Sequence, residues 1–167
     1  VRLVGMPKYD KFKYFANTGS TVKTIGIAIN AIDNDDDKII RLFSELSSIT
    51  NTKIIFRPHP ALLPFKKTFG WHEFSNPNLE SSFVFLKKID VLIAGNSSIH
   101  VEAALLNITC FHLDLTINNY LDYFDFIKNG ISIQSSIDEI SDQIRLNSTH
   151  RYSPLSKVKY YNDVINT

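Results

Sequence analysis

Cysteine is nearly absent from this chain, which excludes a disulfide-stapled fold: Cys110 stands alone in 167 residues. That usage suits a reducing compartment, and the neighbours Ile108 and Phe111 predict a buried, inert thiol rather than a nucleophile. Strong charge of one sign is also lacking. A net charge of +1 gives no case for nucleic acid or a strongly anionic partner. No apolar run approaches the ~20 residues that span a bilayer, and no signal-peptide pattern is present. A cytoplasmic protein is expected, peripheral to the inner face of a membrane only through parts outside this chain. An initiator methionine is missing too. The chain opens mid-pattern with Val1, which suggests a piece of a longer protein whose other part holds half of an active site. Internal repeats, low-complexity tracts and linkers are absent within residues 21–167.

What is present reads as an ordinary globular domain, 44% hydrophobic and 21% charged. The most informative stretch runs from Ile89 to Leu113. Val91 to Ala94 is an unbroken apolar run, as in a strand covered on both faces. Gly95 then permits a sharp turn or the close approach of a ligand. Ser97 or Ser98 caps a short helix, and a second strand follows. A helix start after such a turn presents unpaired N–H groups that suit a phosphate, although any helix start needs capping.

The rest of the chain alternates in the same way. Residues 1–20 read as a lead-in segment and residues 21–167 as one domain. Strands are predicted over 24–29, 53–56, 89–94, 108–113 and 131–133. Helices are predicted from the acidic run Asp33–Asp37 to about Asn51, and over 79–88, 118–128, 135–146 and 153–165. A short helix is predicted over 61–68 and a loop over 69–78. The acidic run reads as helix capping rather than a cation site. The pattern favours an α/β fold, a doubly wound and mostly parallel Rossmann-like sheet.

Candidate chemistry clusters at two strand ends. Arg57-Pro58-His59-Pro60 stops the second strand, because two prolines forbid a continuing ladder. Arg57 can grip phosphate with its planar fork, and His59 can donate a proton to a leaving oxygen. At the second corner, Gly95, Asn96, Ser97 and Ser98 form the turn. Glu102 follows in the helix, as a ribose ligand or simply a first-turn acid. His100 ranks below His59. The histidines, His72 and His112 included, are scattered without ligand spacing, so no metal site is expected. Trp71 and Phe74 could stack on a base, but packing on the core is the commoner case.

These motifs resemble a known group. Arg57-Pro58-His59-Pro60, then Asp90, Gly95-Asn96-Ser97-Ser98 and Glu102-Ala103-Ala104, look like the C-terminal half of bacterial surface-polymer transferases of GT-B fold. The group comprises capsule polysaccharide, polysialyltransferase and CDP-glycerol glycerophosphotransferase families. Gly5-Met6-Pro7-Lys8-Tyr9-Asp10 resembles the segment entering that half, with Lys8 where the pattern has Arg. The resemblance implies one half of a GT-B fold and a metal-independent transferase acting in surface polysaccharide synthesis. The donor is a nucleotide-activated sugar or CDP-glycerol, cytidine favoured, and no further cofactor is implied. His59 would serve the nucleotide phosphate or leaving group, Ser97 and Ser98 the phosphate, and Glu102 the ribose. The catalytic base would come from a missing N-terminal half. A nucleotide-sugar epimerase or hydrolase half and a non-catalytic α/β interaction module are the competing readings.

Overall fold

The computed structural model describes residues 22–30, 33–119 and 122–146. The expectations for the lead-in segment and for a helix over 153–165 lie outside the described residues. Among the described residues six strands form one sheet: β1 (Thr24–Ala28), β2 (Lys53–Arg57), β3 (Glu73–Phe74), β4 (Val91–Ala94), β5 (Thr109–His112) and β6 (Ile133–Gln134). Their order is β3-β2-β1-β4-β5-β6, and every ladder is parallel. The order reverses between β1 and β4. In doubly wound sheets ligands bind at such a switch point, outside the carboxyl ends of the strands.

The apolar strands are covered on both faces, as their lack of polar alternation requires. One face carries α1 (Asp36–Ser47) and α4 (Ile137–Arg145). There Ile39, Leu42, Phe43, Leu46, Ile140 and Ile144 close over Ile25, Ile27, Ile54 and Phe56. The other face carries α2 (Ser82–Leu86) and α3 (Ile99–Leu105), with Phe85, Leu86, Ala103 and Leu105 over Ile55, Leu92 and Cys110. Each fully buried aliphatic or aromatic side chain contributes roughly 1.5–3 kcal/mol. The exposed Arg41–Asp138 pair between α1 and α4, at 2.8 Å, adds little beside that.

Helix starts follow their sequence signals. Asp35 accepts hydrogen bonds from the N–H groups of Asp37 and Lys38 and so caps α1, while Asp36 pairs with Lys67 at 2.6 Å. Ser136 and Glu139 form a reciprocal capping box at α4.

Four expectations need correction. The helix over 61–68 shrinks to a 3-10 turn, Pro60–Leu62, because Leu63 is held extended ahead of Pro64. The loop over 69–78 contains β3, which pairs Glu73 and Phe74 with Ile55 and Phe56. The helix over 79–88 starts only at Ser82, capped by Ser81. Among the described residues of 118–128 no helix forms. Asn119 and Asp125 have positive φ (47° and 53°), and the Asp122 carboxylate takes the N–H groups of Phe126 and Ile127.

Candidate functional site

Register alone brings the two corners together. Ala28 of β1 lies opposite Arg57 of β2 on one side and Ala94 of β4 on the other, and Ala94 lies opposite His112 of β5. These four residues form one row at the carboxyl rim. Aligned residues of parallel strands share a face, here the α2/α3 face, where Ala28 and Ala94 belong to the core. Arg57 and Ala94 are two strand spacings apart, about 10 Å. The Arg57-Pro58-His59-Pro60 and Gly95–Ser98 corners therefore flank the switch point.

Arg57 lies beneath this rim rather than on it, at 9% exposure. Its guanidinium sits 5.5 Å over the Phe85 ring. Nη1 donates to Ser75 Oγ at 2.6 Å and Nη2 to the Glu80 carbonyl at 2.9 Å. Ser75 Oγ donates in turn to Glu80 Oε1 at 2.8 Å. Glu80 pairs with Lys88, which bridges to Glu73 at 2.9 Å, and Glu73 also pairs with Lys53 at 2.5 Å. Burial lowers the Arg57 pKa, and the charges of Glu80 and Glu102 oppose that shift. The guanidinium stays cationic, since arginine does not deprotonate in proteins. The guanidinium offered by the sequence as a phosphate grip is thus largely buried and already engaged by Ser75 and the Glu80 carbonyl.

His59 is exposed, at the N-terminal cap of the 3-10 turn. Its Nδ1 accepts the Ala61 N–H at 3.2 Å. In the neutral ring this places the proton on Nε2, the nitrogen free to donate to a ligand oxygen.

At the second corner a Cβ on Gly95 would meet the Leu113 carbonyl at 3.4 Å and Asn30 Nδ2 at 3.5 Å, both ordinary contacts. Asn96 Oδ1 accepts the Tyr123 N–H at 3.0 Å, tying the segment after β5 to the turn. Ser97 Oγ makes a long cap bond, 3.4 Å from the Ile99 nitrogen. Ser98 occupies the cap position, but its exposed hydroxyl makes no cap bond. Glu102, 9% exposed, acts electrostatically on Arg57 and so lies toward β2.

The structural part played by His100, ranked below His59 as a functional candidate, was not foreseen. Its ring is fully buried, and Nε2 donates to the carbonyls of Gly95 (2.9 Å) and Ala94 (3.2 Å), bracing the turn from below. His112 stacks on it at 5.5 Å and 16°. Burial pushes the His100 pKa down to about 4, and the neighbouring His112 adds to that shift. Burial also lowers His112, against the pull of Asp122 and Asp114. Each ring has a buried Nδ1 without a hydrogen-bond partner. The spacing gave no hint of this pair, because His112 belongs to the next strand.

Two sequence alternatives resolve on the structural side. Cys110 is buried, donates to the Ile108 carbonyl at 3.3 Å, and has its thiol pKa driven up by burial. Trp71 stacks on Phe56 at 4.9 Å, and Phe74 lies 6.2 Å from the same ring, so both belong to the core. Among the described residues no cluster has the makings of a metal site, and no helix is long and apolar enough to cross a membrane.

No protein-family model matches the chain. No curated protein matches it. Solved structures do. The wall teichoic acid polymerase TagF superposes with a TM-score of 0.62 at 17% identity, over 95% of this chain and 44% of that one. Staphylococcus aureus MnaA, solved with UDP, gives 0.62 at 13%, over 98% of this chain and 50% of that one. The spinosyn rhamnosyltransferase SpnG gives 0.54 at 11%, over 99% of this chain and 46% of that one. At such identities the likeness is one of fold: a Rossmann-like domain of the kind that builds a GT-B half. The chain spans about half the length of the structures it matches, or less.

Proposed function

We propose that this chain is the donor-nucleotide-binding half of a glycosyltransferase or glycerophosphotransferase that builds a bacterial surface polysaccharide. The observation that carries the reading is the shared rim. His59 and the Gly95–Ser98 turn flank the switch point on the strands' carboxyl side. The structural neighbours, which include a wall teichoic acid polymerase and a rhamnosyltransferase, support it at the level of fold.

In this reading the donor's diphosphate lies over the turn. Gly95 lets it approach the backbone, and the Ser97 and Ser98 hydroxyls donate to its oxygens. α3 has seven residues, so local N–H and O–H groups count for more than a long helix dipole. His59 Nε2–H hydrogen-bonds a phosphate oxygen of the nucleotide on the β2 side. Arg57 contributes positive potential from beneath, and Glu102 takes the ribose hydroxyls. Charge developing on the leaving group would be met by these preorganised groups rather than by a cation. The acceptor and its base belong to a second, N-terminal half, with cytidine as the favoured donor base.

Isothermal titration of the full-length protein with CMP, CDP and UDP tests this directly. Binding of one of them, with turnover lost in His59→Ala, is expected. No binding by any, together with an unaffected His59→Ala enzyme, refutes the reading. Product analysis with a nucleotide sugar, with and without acceptor, separates transfer from epimerisation and hydrolysis.

A further inference from the structure

The segment after β5 places an aromatic wall against the site. Tyr123 is 84% exposed, and its backbone N–H is the group held by Asn96 Oδ1. Its ring meets Phe124 edge-on at 5.1 Å, and Phe124 stacks on the buried Phe126 at 5.1 Å and 23°. Phe126 packs on His100 at 5.6 Å. A ladder of rings thus runs from the core beneath the turn to an exposed tyrosine at its lip. An exposed aromatic with a supported ring presents a flat apolar face and a polar tip, which suits a ligand that is itself amphipathic.

The geometry of α3 says which part of a donor reaches this wall. His100 faces β5, where it stacks on His112. Glu102, two residues on along the same helix, points about 200° away, to the side of β2. A ribose on Glu102 therefore puts the nucleoside on the β2 side, with His59. The donor's phosphate or diphosphate spans the turn, and the remaining end of the donor emerges on the β5 side. We propose that Tyr123, supported by Phe124, stacks on the ring of the transferred group, so that this site selects a pyranose-bearing donor over an acyclic one. The inference rests on the donor-nucleotide reading above and adds the class of the transferred group.

Titration of the full-length protein and its Tyr123→Ala and Tyr123→Phe variants tests it. The probes are bare CMP, CDP and UDP, the pyranose donors CMP-sialic acid and UDP-N-acetylglucosamine, and the acyclic CDP-glycerol. Either substitution keeps the backbone N–H that Asn96 accepts. In wild type a pyranose donor is expected to bind more tightly than its bare nucleotide. Tyr123→Ala should weaken that donor roughly three- to tenfold, as the loss of one aromatic contact implies, with the bare nucleotide changed by less than about twofold. Tyr123→Phe should restore the stacking and with it the affinity. If Tyr123→Ala weakens the bare nucleotide equally, the wall serves the nucleoside or the turn and the proposal falls while nucleotide binding stands. If nucleotides bind but the substitution affects no donor, or CDP-glycerol is the one weakened, it falls as well. If wild type binds no nucleotide, the donor-nucleotide reading fails and takes this inference with it.

Discussion

The two sides of α3 are built from opposite materials. Toward β2 the site rests on buried and half-buried charge: Arg57, Glu80 and Glu102, extended outward through Lys88, Glu73 and Lys53. Toward β5 it rests on two neutral imidazoles and a ladder of phenyl rings. Both sides flank the same four-residue turn, and His100 on the β5 side is bonded to it. A charged scaffold tolerates little, because removing one partner strands the other in a poor solvent. A neutral imidazole scaffold tolerates substitution better but depends on remaining neutral. The β2 side should therefore respond most to mutation, and the β5 side most to pH.

The largest effect is expected on the charged side. Arg57→Met keeps much of the apolar stem over Phe85 but removes both donors to Ser75 and Glu80. It leaves acidic neighbours without the cation below them. A loss of about 3–5 kcal/mol is expected in urea denaturation, from two hydrogen bonds to a charged donor at roughly 1.5–3 kcal/mol each. A loss below about 1 kcal/mol would mean that the charge is not what organises this side.

On the imidazole side the matching experiment is a pH series. Ordinary histidine titrates near 6.5, whereas His100 in the folded chain titrates at about 4. A group whose folded pKa is depressed contributes stability that is complete above about pH 6.5 and lost as pH falls toward about 4. The span corresponds to about 3 kcal/mol for His100, with His112 acting in the same direction. His100→Phe removes this titration along with the bonds to Ala94 and Gly95. The variant should start less stable at pH 7, and its stability curve should meet the wild-type curve as pH approaches 4. Curves that stay parallel from pH 7 to 4.5 would show that His100 is not the titrating group.

This contrast between the two sides was only partly legible in the sequence. β1, β2, β4 and β5 announced themselves as apolar runs without alternation, and α1 and α4 by spacing and by capping at Asp35 and Ser136. That placed both corners on strand ends, and parallel pairing then fixed a common rim. Direction was not legible. Arg57 points under the rim because it is in register with Ala28 and Ala94, which only the neighbouring strands determine. β3 is two residues long and exists through its pairing with β2. Tyr123 was absorbed into a predicted helix, since nothing local says that Asp122 will spend its carboxylate on the next turn or that Asp125 will adopt positive φ. His100 looked like one more helix histidine until His112 arrived beside it from β5.

The smallest expected change in stability separates the scaffold from the turn it holds. Gly26, in the middle of β1, has no room: an added Cβ would meet Ile89 Cδ1 at 2.4 Å and Phe85 Cζ at 2.9 Å. Gly26→Ala must push apart the packing of α2 on the sheet, at a cost of about 1–3 kcal/mol. Gly95 differs. An added Cβ there makes only ordinary contacts, at 3.4 Å and 3.5 Å, so the folded chain itself does not demand glycine. Gly95→Ala should leave stability within about 0.5 kcal/mol of wild type. If glycine is there to let a phosphate reach the backbone, the same substitution should weaken nucleotide binding at least several-fold in titration. Unchanged affinity would locate the diphosphate away from this turn, and an equal loss of stability at both glycines would remove the distinction between packing and ligand approach.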